Sequence, residues 1–281
     1  MPGKGAVWLA SYPKSGNTWL RLLLANLLSG HDRPVPINQI DLPAHSLMSR
    51  RAIEQLTLID TSLLTRAETE HMRPVWTGHL LTQATERAYI KTHDHYRRNT
   101  AGQGLFGNAV GMSALYVVRD PRDVAISTAH HLGCSLDKAI DVLNHGTPVS
   151  CEPHRYSLRF DEAWAAWRDH VTGWLDQNDL PLHSLRYEDL LADTVQVFGA
   201  TARFLGLEFE PDVLERAVGF SAFEQVQRQE REGGFGERIA RSTAPFFRSG
   251  RAGAWVDVLT PAQADRIVKA NRSVMERLGY L

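Results

Sequence analysis

The chain has 281 residues, 43% hydrophobic and 22% charged, the ordinary balance of a soluble globular protein long enough to bury a full core. Its formal net charge of −1 excludes a global field that would draw nucleic acid or an anionic membrane. Two cysteines, Cys134 and Cys151, exclude a disulfide framework and fit a reducing cytoplasm.

The first residues, Met1–Gly5, lead into the apolar run Ala6–Ala10 without a secretory pattern, so a cytoplasmic chain is expected. Residues 6–11 read as a strand and 17–29 as a helix. The longest apolar run, Leu20–Leu28, carries Arg21 and is too short to span a bilayer. Between strand and helix lies Tyr12-Pro13-Lys14-Ser15-Gly16-Asn17-Thr18-Trp19. A tight polar turn feeding a helix N-terminus is a ready anion site, because backbone N–H groups and the positive end of the helix dipole point into it. Lys14 adds a full charge, Ser15 and Thr18 add hydroxyl donors, and the expected guest is a phosphate or sulfate group. The turn is not a Walker A loop, since Lys14 precedes its only glycine, Gly16. On this stretch alone, a plain turn with an exposed lysine stays open.

Residues 30–88 are less regular: Pro34, Pro36 and Pro43 break the chain, and Ile53–Leu64 and Arg66–His71 read as short helical pieces. Tyr89–His93 reads as a second strand ending in polar residues, followed by a loop over Thr100–Gly111. Ala114–Val118 is a near-continuous apolar run, the mark of a central parallel strand buried on both faces, and Arg119–Asp123 ends it. Val124–Leu132 reads as a helix with Pro121 near its start, and Leu136–Leu143 as a short helix. Asp161–Leu175 has Trp164, Trp167, Val171 and Trp174 at helical spacing, read as core. Leu182–Tyr187 reads as a further strand, with Glu188–Leu190 turning the chain. Helices follow at Val195–Leu205, closed by Gly206, and at Pro211–Val218. Gln227–Ser242, charged and without an apolar stripe, reads as a mobile surface loop, and Pro261–Leu278 as a final amphipathic helix.

No linker or repeat divides the chain, so one domain is expected over residues 1–281. Strands alternating with helices predict an α/β three-layer sandwich with a central, mostly parallel sheet. Ligands of such sheets bind beyond the carboxyl ends of the strands. The first turn, Lys91–His93 and Arg119 should therefore converge on one crevice.

Taken together, five segments resemble the sulfotransferases that use 3′-phosphoadenosine 5′-phosphosulfate (PAPS). Tyr12–Trp19 resembles that family's loop for the 5′-phosphosulfate, and Tyr116–Ser127 its strand and helix for the 3′-phosphate. Lys91-Thr92-His93 resembles the strand end that carries the catalytic base, and Arg186–Leu190 a further signature. Phe246–Trp255 resembles the late Arg-Lys-Gly-x-x-Gly-Asp-Trp segment. The resemblance covers nearly the whole chain and implies a phosphate-loop-like donor site, with PAPS as donor, 3′,5′-adenosine bisphosphate (PAP) as product, and no metal.

Carried over residue by residue, it implies that Lys14 binds the bridging oxygen between sulfuryl group and phosphate. Ser15, Gly16, Asn17 and Thr18 would cradle the 5′-phosphate. Trp19 would stack on adenine with Phe223 on the other face, and Tyr187 would contact the same base. Arg119 and Ser127 would hold the 3′-phosphate, completed by Arg248, Ser249 and Gly250. Two positions depart from the pattern: Ser249 stands where lysine is usual, with Arg251 as the candidate substitute, and Ala254 replaces the Asp before Trp255.

Sulfuryl transfer, like phosphoryl transfer, is in-line and depends mostly on positioning and electrostatics. It needs a base for the acceptor hydroxyl, a cation on the leaving oxygen and a fixed donor. His93 suits the first task, with an ordinary pKa near 6.5. Lys14 suits the second, and Lys91, on the same strand face as His93, can share it. The bland alternatives are a solvated His93 and an Arg119 paired with Asp120 or Asp123. His130, His131, Cys134, His145, Cys151 and His154 lack metal-site spacing and read as a cap over the acceptor pocket. Tyr96, Arg97, Phe106, Tyr156, Phe160 and the 227–242 loop are candidates to line that pocket. The acceptor is a small molecule; a natural product, a lipid and a sugar all stay open. A P-loop-type kinase or nucleotide phosphotransferase, and a non-catalytic nucleotide-binding protein, are the competing readings. The vertebrate dimerisation pattern is absent from Val256–Ala264, which leaves the oligomeric state open.

Overall fold

The computed structural model describes residues 5–40, 42, 50–146, 148–149, 162–238 and 245–281. Pro43, Cys151, His154, Tyr156, Phe160 and residues 239–242, all named above, lie outside them. The first strand, β1 (Gly5–Ser11), feeds α1 (Asn17–Ser29), which Gly30 ends in the left-handed conformation. Then come α2 (Arg50–Thr57), α3 (Arg66–Gln83), β2 (Arg87–Thr92) and β3 (Met112–Val118). The chain continues through α4 (Pro121–Leu132), capped by the Asp120 side chain with Pro121 in the first turn, and α5 (Leu136–His145), capped by Ser135. The short strands β4 (Pro148–Val149) and β5 (Glu162–Ala163) precede α6 (Trp167–Asp176) and β6 (Leu182–Arg186). Last are α7 (Tyr187–Ala192), α8 (Thr194–Phe204), α9 (Pro211–Phe220), α10 (Phe223–Gly233) and α11 (Pro261–Arg277), the last opened by a Thr260/Gln263 capping box.

The main sheet has the order β2-β1-β3-β6 with every pairing parallel, and β4 and β5 form a separate antiparallel pair. Strand periodicity divides the core in two. Ala6, Trp8 and Ala10 of β1 and Ala114, Tyr116 and Val118 of β3 pack with residues of α4, α5, α6 and α11. Val7, Leu9, Leu115 and Val117 point the other way, into residues of α1, α8 and α9. Helices therefore cover both faces, giving the α/β sandwich. Each buried aliphatic side chain contributes roughly 1.5–3 kcal/mol, so strand register is strongly specified.

Three stretches differ from their sequence reading. Ile53–Leu64 is not one helical piece: α2 stops at Thr57, Leu58 takes a left-handed φ of 58°, and a 3-10 turn covers Thr61–Leu63. Arg66–His71 is only the start of α3, which runs on through Pro74 to Gln83. Burial of Trp76 against Ile53, Leu64 and Met72 holds the helix past its proline, tertiary packing overriding a local break. Gln227–Ser242 is not simply a loop, because α10 extends to Gly233. Its inward face includes a carboxylate, Glu230, only 8% exposed, which a search for an apolar stripe does not detect.

Candidate active site

The carboxyl ends of β1, β2, β3 and β6 lie side by side, and the residues just beyond them open onto a cavity of about 290 Å³. The turn after β1 is conformationally specific. Lys14 takes a φ of 70° and Gly16 a φ of 110°. A Cβ at Gly16 would lie 2.7 Å from the Tyr187 ring, so only glycine lets the turn approach α7. Asn17 locks the turn to the sheet, its side-chain amide donating to the Leu9 carbonyl at 2.8 Å. No side chain caps α1, so its first-turn N–H groups stay free for a ligand. The Ser15 hydroxyl is fully buried with no hydrogen-bond partner. Lys14 places its ammonium 3.9 Å from the centre of the Phe246 ring. Burial, then the neighbouring Lys91, pulls its pKa down to about 8.

His93 follows β2 and lines the cavity. Its Nδ1 lies 3.0 Å from the Ser11 carbonyl oxygen, an atom that only accepts, so Nδ1 carries the proton and Nε2 is left as the acceptor. Its backbone is held twice: its N–H donates to Glu162 at 2.8 Å, and its carbonyl accepts from His170 Nε2 at 3.1 Å. Tyr116 in turn donates to His170 Nδ1 at 2.8 Å. Burial, then the charge on Lys91, holds the His93 pKa well below its ordinary value. Burial takes the enclosed His170 down to about 3. Both rings are neutral at pH 7. Lys91 pairs with Glu237 at 2.9 Å, and Glu237 also receives Arg21 at 2.6 Å.

Arg119 follows β3. Its guanidinium sits 4.3 Å over the Tyr187 ring, lies 3.5 Å from Asp123 and donates to the Arg251 carbonyl at 2.8 Å. Its Nε is buried without a partner. Ser127, one turn into α4 from Asp123, faces the same cavity, as do Arg248, Ser249 and Gly250. Gly250 has a φ of 56°, and a Cβ there would meet the Phe223 ring at 2.5 Å. Two buried carboxylates pin the segment around these residues. Glu230 accepts from the N–H groups of Phe246 and Phe247 at 2.6 and 2.9 Å, and Asp123 from those of Gly253 and Trp255 at 2.8 and 2.9 Å. Asp123 thus ties down the loop in which Ala254 replaces the usual Asp. Trp19 donates its indole N–H to the Ser221 carbonyl at 3.0 Å and meets Tyr187 edge-on, with Phe223 lining the same end.

Of the residues singled out in the sequence, Lys14, Gly16, Asn17, Thr18, Trp19, Lys91, His93, Arg119, Ser127, Tyr187, Phe223 and Arg248–Gly250 all line this cavity, and Ser15 is buried within the turn. Others lie elsewhere. Arg251 is exposed and pairs with Asp257, so it supplies no substitute charge for the missing lysine. Tyr96 and Phe106 are core residues, stacked with ring centres 5.7 Å apart, because the packed tryptophans Trp8 and Trp174 enclose them. Arg97 is taken up by Glu70 and Asp94, each at 2.6 Å. Trp164, read as core, sits outside α6, half-buried on the cavity wall. Phe246, Phe247, His131 and Glu237 also line the cavity. Glu237 lies in the 227–242 stretch expected to line the pocket, but its pairing with Lys91 carried no sequence signal, since the two are 146 residues apart. Among the described residues no three metal-ligating side chains come together.

Known proteins are similar to this chain in sequence and in fold. A family model described as the sulfotransferase domain matches residues 4–279. Rat sulfotransferase 2A6 is 30% identical over 186 residues, 64% of this chain and 62% of that protein, so the match spans less than two thirds of the relative. Cytosolic sulfotransferase 16 of Arabidopsis thaliana is 25% identical over 276 residues, 92% of this chain and 72% of that one. The crystal structure of a mouse sulfotransferase, SULT7A1, complexed with PAP superposes with a TM-score of 0.60 at 19% identity, over 98% of this chain and 85% of that one.

Proposed function

The chain belongs to the sulfotransferase family, and we propose that it transfers the sulfuryl group of PAPS to a hydroxyl or amine of a small-molecule acceptor. One observation carries the reading: a proton-accepting imidazole, two ammonium groups and a free helix N-terminus face one cavity. The residues fit the donor. The unpartnered Ser15 hydroxyl and Arg119 Nε are buried donors awaiting an acceptor, which is what an anionic group supplies.

In this reading the turn Ser15–Thr18 and the first turn of α1 hold the 5′-phosphate. Arg119, Ser127 and Arg248–Gly250 hold the 3′-phosphate, and Trp19, Tyr187 and Phe223 flank the adenine. When bound, the donor supplies the sulfuryl group on a phosphate leaving group. Nε2 of His93 accepts the proton of the acceptor hydroxyl, while the hydrogen bond from Nδ1 to Ser11 keeps the ring oriented. The ammonium groups of Lys14 and Lys91, with the α1 N-terminus, stabilise the negative charge that develops beside them. The aromatic wall of Phe246, Phe247 and Trp164 excludes water and receives the acceptor.

The mouse structure was solved with PAP, the expected product, and the Arabidopsis relative is named cytosolic. No helix among the described residues is long and apolar enough to cross a membrane. We read the chain as a single cytoplasmic domain over residues 1–281. The test is transfer of labelled sulfuryl group from PAPS to a panel of phenols, alcohols and amines, alongside calorimetric titration with PAP. His93→Ala should lower kcat by about 100-fold or more while leaving PAP affinity unchanged. Unchanged turnover in that variant removes the catalytic assignment, and absence of PAP binding in the wild type removes the donor.

A further inference from the structure

Glu237 has no part in the chemistry just described, yet its carboxylate stands on the cavity wall. Its Oε2 is 2.9 Å from the Lys91 ammonium and its Oε1 2.6 Å from the Arg21 guanidinium. The pair links β2, which His93 follows, to α1, the helix that follows the polar turn. We propose that Glu237 is a positioning residue that keeps both cavity lysines in the ammonium form and fixes Lys91 at the cavity wall.

Lys14, Lys91, Arg119 and Arg248 line the cavity, against the acidic side chains of Asp123 and Glu237 among the described residues. Asp123 is committed to Arg119 and to two backbone N–H groups. Glu237 is therefore the remaining acidic side chain of the cavity, and it contacts Lys91 directly. The charged and titratable groups that act on Lys14, Lys91 or Glu237, or feel them, are Arg21 of α1, His93 after β2, Glu162 of β5, Arg119 after β3, His131 of α4 and Glu230 of α10. Burial works against both ammonium groups, and each lysine also repels nearby cations. Glu237 is the largest opposing influence on each. Its own carboxyl is raised by burial, but Lys91 and Arg21 outweigh that and bring it down to about 2, so it is ionised at neutral pH.

Lys14 already titrates at about 8. Removing a negative charge lowers the midpoints of Lys14 and Lys91 further, so the ammonium forms are lost at lower pH. A neutral amine cannot stabilise the charge on a leaving oxygen. The alkaline limb of activity then belongs to the lysines and is set by Glu237, an assignment that rests on the sulfotransferase reading.

The titration itself is measurable without turnover. The chain has five lysines, Lys4, Lys14, Lys91, Lys138 and Lys269, so 13C-lysine labelling gives few Cε signals, assignable with Lys14→Arg and Lys91→Arg. In Glu237→Gln the midpoints of Lys14 and Lys91 should fall by about one pH unit, with Glu237→Asp intermediate and Lys138 unmoved. The alkaline limb of kcat/KM should move down by the same amount. Unmoved lysine midpoints in a folded Glu237→Gln protein overturn the proposal. A wild type that transfers nothing from PAPS overturns the proposed function and leaves the lysine titration to be judged by itself.

Discussion

At the scale of single residues, the site is a set of side chains whose protonation is controlled by burial. His93 is the clearest. Its Nδ1 is committed to the Ser11 carbonyl, and its pKa lies well below 6.5 because burial and Lys91 disfavour the imidazolium. The base form therefore persists as pH falls through 6.5, and the acid limb of kcat/KM should lie clearly below that of a free histidine, measured as a pH–rate profile. The same groups link stability to pH. His170 titrates at about 3 and His131, lowered by burial and by Lys14, at about 4. In the unfolded chain both titrate near 6.5, so below that pH the unfolded state binds more protons. Stability should be full above about 6.5 and fall towards about 3, read as a declining melting temperature. His170→Gln should flatten that decline. Gly16→Ala should weaken PAP binding, because the added Cβ would lie 2.7 Å from the Tyr187 ring at a φ of 110°.

At the scale of elements, the cavity is built from strand ends and one late segment, and two carboxylates hold that segment. Glu230 on α10 and Asp123 on α4 each receive two backbone N–H groups of the stretch Phe246–Trp255. Hydrogen bonds to a charged acceptor are worth about 1.5–3 kcal/mol each. Glu230→Gln or Asp123→Asn should loosen this segment and weaken PAP affinity by about tenfold or more in a calorimetric titration, with His93 chemistry at saturation little affected. Legibility at this scale was uneven for a definite reason. Tyr12–Trp19, Lys91–His93 and Arg119 were readable because polar residues closing apolar strands are a local signal. Helix α10 was not, because the residue that buries its inner face is a glutamate satisfied by N–H groups 16 and 17 positions later. Trp164 was misread because its spacing to Trp167, Val171 and Trp174 is helical, while α6 begins only at Trp167.

For the whole molecule, the fold places the cavity of the candidate site beyond the strand ends of a parallel sheet, four-stranded among the described residues, and buries both sheet faces. A ligand held by the β1 turn, the β3 end and the 248–250 segment joins parts of the chain more than 200 residues apart, so binding should stabilise the whole unit. At 100 times its dissociation constant PAP should add about 2.7 kcal/mol. That corresponds to a rise in melting temperature of roughly 5–10 °C in a thermal scan. The α/β class, the order of polar clusters at strand ends and the polar turn after β1 were determined by the sequence, because period-two burial, helix periodicity and strand-end chemistry are short-range patterns. The tertiary structure alone decided which charges meet and which aromatics face the cavity. Lys91 and Glu237 lie 146 positions apart, Arg251 turns out to Asp257, and Tyr96 and Phe106 fill the core rather than the pocket. Charge pairing and aromatic burial depend on through-space proximity, and that exists only once the sheet has brought distant segments together.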